Sequence, residues 1–144
     1  MIKLDSKIYL AGHKGLVGSA ILRKLKKKGY KNIICQDREK LDLTNQKKVY
    51  KFLKKNKPEI IFIAAAKVGG ILDNKLYKAD YITENLLIQT NLIQGAHLNG
   101  IKNLIFLGSS CVYPKNCKQP IKEKYLLTGS LEDTNDAYAV AKIA

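Results

Sequence analysis

The chain has 144 residues, the size of a single domain, and is 46% hydrophobic with 10 glycines and 3 prolines, a composition that excludes a disordered or low-complexity protein. No apolar run approaches the roughly 20 residues that span a bilayer. The start, Met1-Ile2-Lys3-Leu4-Asp5, has no signal-peptide apolar core, so no membrane partner and a cytoplasmic location are expected. The formal net charge of +14 invites a nucleic-acid reading, but the only arginines are Arg23 and Arg38, and arginine is the usual bidentate reader of bases. The lysines fall on the solvent faces of two helices, so no nucleic-acid partner is expected.

In chain order, Lys7–Ala11 reads as a short buried strand ended by Gly12. From Leu16 to Lys28, Val17, Ala20, Ile21 and Leu25 recur at helical spacing, and Gly29 suits the helix end. Asn32–Gln36 is a second strand. Thr44 is expected to cap a helix running to about Asn56 with Val49, Phe52 and Leu53 inward. Pro58 precedes a third strand, Glu59–Ile63, which runs into Ala64-Ala65-Ala66 and a loop with Gly69-Gly70. Residues 79–98 form a long helix with Ile82, Leu86, Ile93 and Ala96 inward, ended by Gly100. Asn103–Leu107 is a fourth strand, 111–134 is irregular, and a last helix starts near Asn135 or Asp136. Continuous apolar strands alternating with helices argue a parallel sheet covered on both faces. The fold class is therefore α/β: a doubly wound Rossmann-type sheet, truncated after about four strands, with residues 1–144 as one dinucleotide-binding domain.

Gly12-His13-Lys14-Gly15-Leu16-Val17-Gly18 places glycines three apart between the first strand and the first helix. The first permits the turn, the second lets backbone approach a pyrophosphate, and the third lets helix pack on strand. The helix N-terminus then offers N–H groups to the anion. About 20 residues on, where an acid would hold a ribose 2′-hydroxyl, stand Gln36-Asp37-Arg38. Asp37 favours NAD and Arg38 a 2′-phosphate; on this feature alone the choice is open.

Ser109 and Ser110 follow the fourth strand, where doubly wound sheets bind ligands. Tyr138 and Lys142 stand four apart, on one face of a helix. An ammonium near a phenol is expected to lower its pKa from about 10, making Tyr138 a proton donor to a carbonyl that accepts hydride. Glycine loop, strand-end serine and Tyr-Lys pair in this order resemble an extended short-chain dehydrogenase/reductase. Cysteines 35, 111 and 117 form no CxxC, and His13 and His97 are the only histidines, so neither a disulfide framework nor a metal is expected. Cys111 is open between a small buried hydrophobe and a reactive thiol. Cys35 and Cys117 read as structural.

The stretches AGHKGLVGSAI (11–21), AAAKVGGI (64–71), FLGSSCVYPK (106–115) and YAVAKIA (138–144) resemble the GDP-L-fucose synthase family, which epimerises GDP-4-keto-6-deoxy-D-mannose at C3 and C5 and reduces it at C4. The resemblance implies roles. Tyr138 donates the proton in reduction, Lys142 tunes it and binds cofactor, Ser109 holds the reacting oxygen, and Cys111 is the base for epimerisation. Gly12, His13, Lys14, Gly15, Leu16, Val17, Gly18, Arg38, Ala64, Ala65, Leu107 and Gly108 line the cofactor. The family's preference for NADPH tilts the choice toward Arg38. A thiol suits the base role, because protons beside a ketone are acidic and its pKa of about 8.5 is tunable toward working pH. The resemblance further implies a GDP-sugar substrate, a homodimer, and a substrate lobe and epimerisation histidine beyond residue 144. Alone, this chain is expected to be a fragment that folds poorly and does not turn over. The competing readings are another NAD(P)-dependent sugar-nucleotide epimerase or reductase, and a non-catalytic dinucleotide-binding module.

Overall fold

The computed structural model describes residues 2–144. Its elements are β1 (Ile8–Ala11), α1 (Leu16–Lys27), β2 (Ile33–Ile34), α2 (Gln46–Asn56), β3 (Ile60–Ile63), α3 (Ile71–Leu76), α4 (Lys78–Leu98), β4 (Asn103–Phe106) and α5 (Asp136–Ile143). Single 3₁₀ turns cover Ser110–Val112 and Glu123–Tyr125. The chain divides into two compact units, Met1–Ala66 with Leu87–Leu107, and Lys67–Leu86 with Gly108–Ala144.

The first unit holds the sheet. Its four strands are parallel in the order β2-β1-β3-β4, the α/β, Rossmann-like arrangement read from the alternating apolar runs. β1 is central and fully buried, Ile8 through Ala11. Alternation sends Tyr9, Ala11, Ile61 and Ile63 to one face, where they meet Val49 and Leu53 of α2 and Ile88, Leu92 and Ala96 of α4. Ile8 and Ile60 face the other way, against Leu25 and Ile21 of α1. Truncating a fully buried side chain such as Leu53 would cost about 2–5 kcal/mol.

Four local expectations change. The cap of α2 is Asn45, whose Oδ1 accepts the Lys48 N–H at 3.0 Å. The Thr44 hydroxyl is engaged by Asp42 Oδ1 at 2.8 Å instead. On α1, Val17 is 52% exposed and Ala20 is exposed, because the helix turns Gly18, not Val17, onto the Gly12–His13 turn. On α4, Ile93 is 45% exposed while Asn85, Gln89 and Asn91 are buried. The inward stripe runs through Tyr81, Asn85, Ile88, Leu92 and Ala96. Asn91 stays buried because its Nδ2 donates to Leu43 O at 2.9 Å and Thr44 O at 3.0 Å. Finally, α3 occupies what read as open loop after Gly70.

In the second unit, the first half of α4 holds the segment that precedes it. Asn85 Oδ1 accepts the Lys67 N–H at 2.8 Å, and its Nδ2 donates to Lys67 O at 3.0 Å and Tyr81 O at 2.8 Å. The Tyr81 hydroxyl donates to Asp73, and the Asn74 Nδ2 donates to Gly69 O and Gly70 O. Burial, then the Asp73 partner, pushes the Tyr81 phenol up to about 12.

Candidate active site

The glycine loop lies in the first unit, at the end of β1. Strand order reverses beside β1, with β2 on one side and β3 on the other, which makes this the switch point where doubly wound sheets take ligands. Gly12 has φ +82°, and a Cβ on it would lie 2.5 Å from Ala65 N and 2.6 Å from Ala64 C. The turn therefore needs both the left-handed conformation and the missing side chain. Ala64 and Ala65 form the other wall of that turn, with the Ala64 N–H bonded to Ala11 O at 3.0 Å. Gly15 precedes α1 in extended conformation, no side chain caps the helix, and its first turn carries no acid. Leu16 and Val17 are exposed, so the helix start presents backbone and positive potential.

Asp37 does not stand alone at the end of β2. Its Oδ1 is 2.8 Å from Lys14 Nζ and 3.3 Å from His13 Nε2. The hydrogen bond from Lys14 holds the Asp37 carboxyl below its ordinary value, and Lys14 is raised for the same reason. The loop's own Lys14 and His13 thus occupy the acid in the position of a ribose ligand. Arg38, next to it, is exposed. Leu107 closes the first unit with its N–H on Ile63 O at 3.3 Å; at Gly108, which opens the next segment, a Cβ would meet nothing within 4 Å.

Ser109, Cys111, Tyr138 and Lys142 all belong to the second unit. Ser109 caps the 3₁₀ turn: its Oγ accepts the Cys111 N–H at 3.4 Å and lies 3.1 Å from Cys111 Sγ. The Ser109 side chain also acts on the Tyr138 phenol, favouring its ionised form. One hydroxyl therefore contacts the thiol and bears on the ionisation of the phenol. Lys142 Nζ lies over the Tyr138 ring, 5.8 Å from its centroid, as the four-residue spacing requires.

The expected lowering of the phenol pKa is reversed. Burial, then the neighbouring Cys111, raises Tyr138 above 10.0, and the Ser109 hydrogen bond offsets only part of this. Burial in turn lowers Lys142 below 10.5. An ammonium over the ring face, itself half-buried, does not outweigh desolvation of a phenolate.

Among the described residues, three ion pairs in this unit escaped the sequence, one of them Lys67 Nζ to Glu84 Oε2 at 3.6 Å. Lys78 Nζ lies 2.7 Å from Asp136 Oδ1, and Lys115 Nζ lies 3.0 Å from Glu132 Oε2. Asp136 in the first turn of a helix was a readable signal; its lysine, 58 residues away, was not. Cys35 and Cys117 are half-buried free thiols, and no cluster of metal-ligating side chains occurs among the described residues. Among those residues, too, no helix is long and apolar enough to cross a membrane.

The family model described as NAD dependent epimerase/dehydratase matches residues 8–144. The chain is 55% identical over 145 residues to GDP-L-fucose synthase of Sinorhizobium fredii, covering 100% of this chain and 46% of the relative. It is 55% identical over 140 residues to GDP-L-fucose synthase 1 of Arabidopsis thaliana, covering 97% and 43%. Among solved structures it resembles a GDP-mannoheptose C4 reductase from Campylobacter jejuni with NADP bound, at TM-score 0.95 and 45% identity over 99% of this chain and 45% of that one. A GDP-L-fucose synthetase from Naegleria fowleri bound to NADP follows at TM-score 0.88 and 28% identity, covering 99% and 46%. The chain thus spans less than half the length of the relatives it matches.

Proposed function

The chain belongs to the NAD dependent epimerase/dehydratase family, and on that premise we propose that it supplies the cofactor loop and the acid–base residues of an NADPH-dependent GDP-L-fucose synthase. The residues suit a dinucleotide. The uncapped, acid-free start of α1 and the Cβ-excluding turn at Gly12 match a pyrophosphate; Gly12 to Gly18, Ala64, Ala65, Leu107 and Gly108 are the residues proposed to line the cofactor. Asp37, tied to Lys14 and His13, is a poor ribose acceptor. Arg38 brings positive charge instead, which suits the 2′-phosphate of NADP. Relatives whose structures hold NADP support the same choice.

When bound, the cofactor supplies the hydride that reduces a ketone to an alcohol. This chain's residues handle the protons. Tyr138 delivers one to the carbonyl oxygen as hydride reaches the carbon; its raised pKa keeps it protonated until then. Ser109 hydrogen-bonds that oxygen, and Lys142 holds the nicotinamide ribose. Cys111, as thiolate, removes the proton from a carbon beside the ketone. The electron pair passes to the carbonyl oxygen as an enolate, and an acid outside this chain reprotonates the opposite face. The observation that carries the reading is the Ser109 hydroxyl in contact with the Cys111 thiol, the residue that pure reduction does not need.

The test replaces the matching part of the Sinorhizobium fredii synthase with residues 1–144. The chimera should convert GDP-4-keto-6-deoxy-D-mannose to GDP-L-fucose with NADPH. Tyr138→Phe should slow hydride transfer by about 10²–10⁴-fold. Cys111→Ser should abolish exchange of ring protons with solvent and spare reduction of a pre-epimerised ketone. A second reading, a GDP-heptose C4 reductase, is favoured by the Campylobacter jejuni likeness. It predicts reduction of a GDP-4-ketoheptose with Cys111→Ser silent. A chimera that fails to bind NADPH overturns both readings.

A further inference from the structure

Two lysine–carboxylate clamps converge on one short stretch of the second unit, residues 132–136. Lys115 pairs with Glu132 at 3.0 Å, and its N–H donates to Ser130 O at 2.9 Å. Beside it, a Cβ on Gly129 would lie 3.3 Å from Pro114 Cβ. This clamp holds the loop that leaves the Cys111 turn. Lys78 Nζ donates to Asp136 Oδ1 and Oδ2 at 2.7 and 2.8 Å and to Asp133 O at 2.8 Å. The three ammonium protons thus have three acceptors. Asp136 Oδ1 also accepts the Ala137 N–H at 2.7 Å, so this clamp fixes the start of the helix bearing Tyr138 and Lys142. Both pairs are partly exposed, with side-chain exposures of 52 and 35% for Lys115 and Glu132 and 42 and 40% for Lys78 and Asp136. Pairs so exposed add little to global stability. What they supply is local geometry, in a region whose backbone hydrogen bonds, apart from the Lys115–Ser130 bond, close isolated turns.

We propose that Lys115–Glu132 and Lys78–Asp136 are separate positioning pairs, the first setting the pose of the Cys111 thiol and the second that of the Tyr138 phenol. Taken with the function proposed above, on which this part rests, Lys115 governs proton removal beside the ketone and Lys78 governs proton delivery to its oxygen. Neither residue touches the reacting atoms; each acts through the element it anchors.

The test is run in the chimera, and its first two readouts need no turnover. Alkylation of Cys111 by iodoacetamide is followed at fixed pH by peptide mass spectrometry, and titration of Tyr138 by carbon-13 tyrosine NMR. Lys115→Met should change the Cys111 rate by about two- to fivefold, the range an exposed pair can supply, and leave the Tyr138 midpoint in place. Lys78→Met should do the reverse. Lys115→Arg and the swap Lys115→Glu with Glu132→Lys keep an ion pair and should keep the wild-type rate. In the chimera, Lys115→Met should depress solvent exchange more than reduction of a pre-epimerised ketone, and Lys78→Met the opposite. Variants that move both sites together, or neither, overturn the proposal, as does an arginine variant that behaves like methionine. Because the first two readouts use no substrate, a chimera that makes no GDP-L-fucose would count against the proposed function and leave the positioning pairs standing.

Discussion

Gly18→Ala offers a quantitative test of the loop. A Cβ on Gly18 would overlap the Gly12 carbonyl oxygen and lie 2.7 Å from the Gly12 carbonyl carbon and 3.1 Å from His13 Cα. Moving the carbonyl carbon alone from 2.7 Å to the 3.4 Å of ordinary contact requires about 0.7 Å, and the oxygen requires more. The loop has no room to retreat, because Gly12 is already pressed on the Ala64–Ala65 backbone. Relief must come from α1 lifting off Ile8 and Ile60, which uncovers Leu25. Overpacking of this kind costs about 1–3 kcal/mol, and backbone neighbours place it at the upper end. The better helix propensity of alanine returns up to about 1 kcal/mol. The net loss is about 2 kcal/mol, or about 1 M in urea midpoint for a slope near 2 kcal/mol/M. Far-UV circular dichroism in urea reads it directly. Gly15→Ala is the comparison: its nearest neighbour is Gly12 O at 3.4 Å, and its φ of −71° suits any residue. Its stability should change by less than about 0.5 kcal/mol, while NADPH binding weakens because the Cβ stands where the pyrophosphate approaches. A Gly18→Ala protein as stable as wild type, or a Gly15→Ala protein equally destabilised, refutes the reasoning.

Three further outcomes are expected. Asn45→Ala should cost about 1 kcal/mol in urea unfolding and Thr44→Val less, since only Asn45 accepts from the helix; the reverse order would reinstate Thr44 as the cap. A Cβ on Gly95 would lie 2.8 Å from Leu53 Cδ1 and 3.1 Å from Tyr50 Cδ1, so Gly95→Ala should lower stability by about 1–3 kcal/mol, with partial recovery when Leu53→Val is added; no recovery would mean the strain lies elsewhere. Asp37 is held below 3.8 chiefly by the Lys14 hydrogen bond. A depressed carboxylate stabilises the fold above its unfolded pKa, and that contribution is lost as pH falls through the folded value, here below about pH 4. In Lys14→Met the Asp37 carboxyl carbon should titrate closer to 3.8 by NMR, and an unmoved midpoint would show that Lys14 is not the cause.

The alternation of apolar runs with helical periods specified the sheet and the sequence positions of the cofactor loop. These are local signals: a strand buried on both faces must be apolar throughout, and a phosphate turn must be glycine where Cβ has no space. The faces of α1 and α4 were less legible. Asn85 and Asn91 look like solvent residues until their carbonyl partners are seen, so the polar pattern pointed Ile93 inward and the asparagines outward. Thr44 and Asn45 are equally good caps on paper; only the Asp42 contact decides between them.

The Tyr138–Lys142 pair was readable because its residues are four apart on a helix. The sign of its pKa shift was not, since desolvation depends on what the whole fold packs around the phenol. The sequence by itself determined which residues are chemically able to act: a hydroxyl, a thiol, a phenol and an amine in a fixed order behind a glycine loop. Only the tertiary structure decided that Ser109 touches Cys111, that Asp37 is taken by Lys14 and His13, and that Lys78 and Lys115 grip residues 132–136. Those contacts join residues that chain-local propensity cannot relate, because long-range ion pairs and burial arise only once the backbone has brought distant segments together.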